Sequence, residues 1–180
     1  PITIVKSDFF QNENFFKGVD LNLNFKQEYL KNAKNIISNI PKKFDRVFIH
    51  IRRGDYLTEK YNNIQGVDLP KKYFIDAIKK IETHINNPFY VILSDDKIFV
   101  ETMFNEFQNK LVSYNIPQID LAIMTLCNYG ICSNSSFSWW GAYLIKNRKK
   151  IIFPSYWFGW KSRIESHPGI QPSWSDVIDF

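Results

Sequence analysis

Cysteine is scarce in this chain: its 180 residues hold two, Cys127 and Cys132. Two thiols cannot build the disulfide framework of a small secreted domain or the four-ligand cage of structural zinc. Both stand in apolar stretches, where a small reduced side chain packs as core, and they predict a cytoplasmic setting. Long apolar runs are missing as well, and none approaches the roughly 20 residues that cross a bilayer. The opening Pro1-Ile2-Thr3-Ile4-Val5 lacks the basic region and cleavage site of a signal peptide. Without an initial Met, it predicts a piece excised from a longer chain. No internal repeat or low-complexity tract stands out.

Concentrated charge is also absent. The net charge is +5, but Lys42-Lys43, Lys71-Lys72, Lys79-Lys80 and Arg148-Lys149-Lys150 are scattered, mostly at element ends. That spread argues against a nucleic-acid footprint. An anionic membrane face and a phosphorylated substrate stay open. What the chain does hold is aromatic bulk, 17% of residues with 16 Phe, enough for one well-filled core at this length.

The first 24 residues show no clean period and read as a connector packed on the domain formed by residues 25–180. From Phe25 to Ile40 apolar residues recur at helical spacing, and Pro41 stops them. Residues 46–51 form a short apolar strand rich in β-branched and aromatic side chains. Asp68-Leu69-Pro70 opens a helix with a Tyr73, Phe74, Ala77, Ile78 and Ile81 stripe. A strand at 89–93 follows, then a helix capped by Ser94-Asp95-Asp96 and running to about Phe107. A strand near 111–113, a helix at 118–127, a strand at 129–133, a helix at 136–146 and a strand at 150–153 complete the series. Continuous apolar strands alternating with amphipathic helices predict a mainly parallel, doubly wound α/β sheet of Rossmann type.

Three polar clusters fall at the carboxyl ends of three of these strands, where such sheets bind ligands. In His50-Ile51-Arg52-Arg53-Gly54-Asp55-Tyr56, two guanidiniums share one turn, and their planar forks suit a diphosphate without a metal. Asn134-Ser135-Ser136 precedes a helix, so hydroxyls and free amides can cradle an anion, although an ordinary N-cap would look the same. Ser94-Asp95-Asp96 can cap a helix, hold sugar hydroxyls or orient the facing arginines, and no separate Asp-x-Asp pair completes a Mg²⁺ site. Asp120 sits in a helix's first turn, where it either complements the dipole or accepts from a guanine or ribose donor. His50 reads as a half-buried neutral imidazole contacting the nucleotide, or as a catalytic group. Asp55, Glu59 and Asp68 are the candidate bases. Trp139, Trp140, Trp157 and Trp160 read as core, with an apolar sugar platform as the alternative.

Taken together, residues 50–56, Phe89 to Asp96, Asp120, Ile131 to Ala142 and Ile152 to Phe158 closely resemble glycosyltransferase family eleven, the α-1,2-fucosyltransferases, especially bacterial members. Phe10 to Phe16 is similar to the family's middle region. The resemblance implies the donor-binding half of a GT-B-type enzyme that is inverting and metal-independent. Such enzymes move fucose from GDP-fucose to the 2-hydroxyl of a galactose-containing glycan. It implies that Arg52 binds the β-phosphate and Arg53 supports the loop. His50 and Asp120 would lie near the nucleoside, Ser135 and Ser136 near the phosphates. Asp55 is the first choice as catalytic base and Glu59 the second. A cytoplasmic enzyme follows, with peripheral contact at the inner membrane as an option. The family's Gly-rich amino-terminal motif is not found, which predicts that an amino-terminal lobe is missing. The alternative is a nucleotide- or glycan-binding module without transferase activity.

Overall fold

The structure, a computed structural model, describes residues 9–19 and 21–180; residues 1–8, including the stretch weighed as a signal peptide, lie outside the described residues. Among the described residues five α-helices and eight strands form the domain. The strands β1 (Asp45–Ile51), β4 (Pro88–Ser94), β5 (Lys110–Val112), β6 (Tyr129–Ile131), β7 (Lys150–Pro154) and β8 (Asp176–Ile178) form a six-stranded sheet in the order β5-β4-β1-β6-β7-β8. Every pairing in it is parallel, as the alternating apolar strands and helices predict.

Period-2 alternation sends opposite faces of β1 into two cores. Val47, Ile49 and Ile51 meet the helices α2 (Lys71–Glu82) and α3 (Lys97–Met103) through Tyr73, Phe74, Ala77, Ile81 and Val100. Phe48 faces the other way, toward α1 (Gln27–Ser38), α4 (Pro117–Thr125) and α5 (Ser136–Tyr143). Gly130 on β6 makes room for it: a Cβ there would lie 2.1 Å from the Phe48 ring. Cys127 and Cys132 are free and buried in this second core, and Trp139 is fully enclosed there, its indole N–H donating to the Ile170 carbonyl at 2.8 Å.

Some boundaries depart from the sequence reading. α3 ends at Met103, because Phe104 and Phe107 continue the apolar spacing in a turn, packed edge to face at 5.2 Å. α5 ends at Tyr143, where the Arg148 guanidinium donates to the Ala142 and Tyr143 carbonyls at 3.0 Å each and satisfies groups that another turn would use. β6 stops at Ile131, two residues early. Two features were not anticipated: the edge strand β8 and a small hairpin of β2 (Lys60–Tyr61) and β3 (Ile64–Gln65). Both are too short to carry a period.

Residues 9–19 lie along α5. Phe16 packs on Trp140 at 5.5 Å and on Tyr143 at 5.9 Å, and Asn12 donates to the Pro168 carbonyl at 3.0 Å. Among the described residues no helix is long and apolar enough to cross a membrane.

Candidate functional site

The site begins where β1 stops. The Arg52 amide donates to the Ser133 hydroxyl at 3.0 Å, and that hydroxyl donates to the His50 carbonyl at 2.7 Å. The Arg53 amide donates to Asp95 at 2.9 Å. The turn is thereby stitched to the ends of β6 and β4, its two neighbours in the sheet. Gly54 is required by closeness, since a Cβ there would come within 2.6 Å of the Asp95 carboxylate. A short 3-10 turn, Asp55–Leu57, then folds Asp55 back onto Arg52. Arg52 is held between two carboxylates, Asp55 at 2.7 Å and Asp95 at 2.9 Å, with its guanidinium 5.6 Å from the Tyr56 ring. Its side chain stays 37% exposed, so the cation is fixed in place yet open to a ligand.

A cavity of about 540 Å³ opens beside it. Of the residues predicted from sequence, His50, Arg52, Asp55, Ser94, Asp95, Asp120, Ser135 and Ser136 line this cavity together. The other five do not line it. Arg53 is directed to the α2–α3 side, paired with Asp96 at 3.0 Å and Asp68 at 3.6 Å and stacked 3.8 Å over the Phe99 ring. Asp96 is spent there, since it also caps α3 through the Phe99 amide. Asn134 is buried and donates to the carbonyls of Val67 and Trp157 at 2.9 and 2.8 Å, which pins two loops. Glu59 is exposed and does not line the cavity. Asp68, taken up by Arg53, lines no part of it either. Trp139 and Trp157 are core, and none of the four tryptophans borders the cavity.

Three polar lining residues were not singled out for a role from sequence: Tyr56, Lys97 and Asn115. Tyr56 lay in view within the arginine motif. Its hydroxyl donates to the Asn134 carbonyl at 3.0 Å, and burial above all pushes its pKa up to about 12. Lys97 opens α3, and a lone lysine at a helix start carries no sequence signal of a site.

The cavity is divided electrostatically. At the β1–β6 end Arg52 lines it together with Ser135 and Ser136, the start of α5. Ser135 occupies the N-cap position but makes no side-chain cap bond, and the helix's first amides have no intrahelical acceptor. That end is built for an anion. At the other end lies Asp120, 6% exposed, accepting from the Ser113 hydroxyl and with its other oxygen free of hydrogen bonds among the described residues. Burial raises its pKa, while Ser113 and Lys97 oppose the rise. His50 stands between the two ends, its ring 5.3 Å from Phe137. Burial, then the charges of Arg52 and Lys97, lower its pKa to about 3. The imidazole is therefore neutral, and its Nδ1 is buried without a hydrogen-bond partner among the described residues. Among those residues no three His, Cys, Asp or Glu side chains are grouped as a metal site. The arrangement can bind a ligand that is anionic at one end and rich in N–H donors at the other.

Residues 4–174 match the model of glycosyl transferase family 11. An α-1,2-colitosyltransferase of Escherichia coli is 29% identical, over 83% of this chain and 54% of that protein. The O-antigen biosynthesis glycosyltransferase WbnK of the same organism is 37% identical, over 61% of this chain and 38% of that one. The galactoside 2-α-L-fucosyltransferase SEC1 of Bos taurus is 29% identical, over 54% and 28%. The chain thus spans about half or less of the length of these relatives. In structure it is similar to POFUT1 solved with GDP-fucose, with a TM-score of 0.54, 14% identity, and coverage of 71% of this chain and 46% of that one. At that identity the likeness concerns the fold.

Proposed function

Because the chain belongs to glycosyl transferase family 11, we propose that it carries the donor side of an α-1,2-fucosyltransferase, moving fucose from GDP-fucose to the 2-hydroxyl of a galactose unit with inversion. The observation that carries this reading is the two-ended cavity. Arg52 and the free amides of α5 face one end, where a diphosphate would lie, and Asp120 waits at the other with a free carboxylate oxygen. Guanine offers a ring N–H and an amino group to such an acceptor. In an inverting displacement the acceptor hydroxyl attacks the anomeric carbon from the side opposite the diphosphate, and the bond to GDP breaks. Charge then grows on the β-phosphate oxygens, where Arg52 and the α5 amides stabilise it. The attacking hydroxyl must give up a proton. Asp55, at the cavity wall, is better placed to take it than exposed Glu59, which lies off the cavity.

In this reading Arg52 and the α5 amides supply the positive potential at the diphosphate without a metal. Two buried reduced thiols accord with the cytoplasmic side, with or without peripheral contact at the inner membrane. A second reading concerns the sugar. The relative matched over 83% of this chain is a colitosyltransferase, so a colitosyl group on the same nucleotide is the rival donor.

Titration calorimetry with GDP, UDP and ADP tests the nucleotide. GDP is expected to bind at least tenfold more tightly than the others, with EDTA making no difference. Equal affinity for all three, or loss of binding on chelation with recovery in Mg²⁺, would overturn the reading. Transfer from GDP-fucose and GDP-colitose to a galactoside decides between the sugars.

A further inference from the structure

We propose that Lys97 reads the nucleobase: its ammonium donates to the carbonyl of guanine, while the Asp120 carboxylate accepts from the ring N–H and amino group. This inference rests on the guanine nucleotide proposed above and adds a residue to it. Lys97 is the first residue of α3, directly beyond the polar end of β4. Its Nζ donates to the Ser113 carbonyl, and the Ser113 hydroxyl donates to Asp120. One residue past the end of β5 therefore holds both charged groups against the same cavity. They do not pair with each other: Lys97 forms no ion pair among the described residues. An ammonium has three N–H donors, and Ser113 takes one of them. The aromatic ring of Tyr114, 5.5 Å away, faces the same cation.

Two opposite charges anchored side by side and left unpaired make a donor next to an acceptor. Guanine presents the complement, a carbonyl acceptor followed by two donors. Adenine presents an amino donor and then an acceptor, in the reverse sense. Uracil offers a carbonyl and an N–H, but its second carbonyl would face the carboxylate and be repelled. Lys97 thus accounts for selectivity that Asp120 alone would leave loose. The competing role is a mechanical tether between α3 and β5, or a cation for the diphosphate.

A binding cycle with GDP and 6-thio-GDP, in which sulfur replaces only the carbonyl oxygen, separates these roles. Wild type is expected to bind 6-thio-GDP roughly tenfold more weakly than GDP, the scale of a hydrogen bond to a charged donor. Lys97→Met should weaken GDP by a similar factor and no longer distinguish the two. Lys97→Gln, which keeps an N–H donor one bond nearer the backbone, should restore part of the discrimination and guards against misfolding, with thermal melting as the check. Equal losses for both nucleotides in a folded Lys97→Met protein would mean a tether or a phosphate cation, and overturn the inference. Unchanged GDP affinity in that variant would do the same. Failure of wild type to bind GDP would instead remove the nucleotide reading beneath it.

Discussion

The turn after β1 has two sides, and adjacent arginines serve them differently. On the cleft side, Arg52 is flanked by carboxylates but 37% exposed, near a neutral His50 with a nitrogen unpartnered among the described residues and an N-cap serine without a side-chain cap bond there. On the helix side, Arg53 is 19% exposed and fully engaged by Asp68, Asp96 and the Phe99 ring. The chemistry of the two side chains is the same. What separates ligand binding from scaffolding here is whether hydrogen-bonding capacity has already been used. A buried or half-buried polar group without a partner costs free energy in the unbound protein, and a ligand that supplies the partner recovers it.

Removing Arg52 should give the largest effect. Arg52→Ala is expected to lower GDP affinity by about a hundredfold or more, because charge-assisted, forked bonds to a diphosphate are lost. Arg52→Lys keeps the charge without the fork and should still lose about tenfold. Stability should barely change in either variant, by less than about 1 kcal/mol, since the partners Asp55 and Asp95 are partly solvated. Calorimetry and denaturant unfolding on the same samples check both halves. A Lys variant within threefold of wild type for GDP would refute the phosphate role.

Arg53 should behave in the opposite way. Arg53→Met keeps the packing on Phe99 but strands Asp68, and deprives Asp96 of one partner while its bond to the Phe99 amide remains. Breaking a buried pair costs about 3–5 kcal/mol; with 19% exposure and one cap bond kept, about 2 kcal/mol is expected. GDP affinity should stay within about threefold in the folded protein. A large loss of affinity without loss of stability would mean that Arg53 reaches the ligand, and the contrast between the two sides would fail.

The sequence displayed the sheet's carboxyl edge clearly, because continuous apolar strands such as Phe89 to Leu93 end abruptly in polar residues. Eight of the thirteen predicted site residues share the cavity for that reason. Orientation was not legible. Arg52 and Arg53 are equivalent as letters, and only the stitching of the turn to Ser133 and Asp95 sends one into the cleft and the other behind it. Asn134 was read as an anion ligand because it neighbours Ser135, yet its amide is taken by two carbonyls from residues 67 and 157, far off in sequence. Lys97 was invisible for the converse reason. Its partner Ser113 lies just past the end of β5, and its proximity to Asp120 exists only in the folded chain.

Ser135 offers the smallest and most discriminating test. An N-cap serine usually contributes about 1 kcal/mol by accepting from the second or third amide of its helix. Ser135 makes no such bond, and its hydroxyl has no partner among the described residues, so Ser135→Ala should leave the unfolding midpoint where it is. Ser135 lines the cavity together with Arg52. One neutral donor to a phosphate oxygen is worth roughly 1 kcal/mol, so GDP should bind about fivefold more weakly while guanosine, which lacks the diphosphate, is unaffected. Equal losses for GDP and guanosine would move Ser135 away from the phosphates. A drop in stability with no change in GDP affinity would return it to the ordinary capping role that its position in the sequence first suggests.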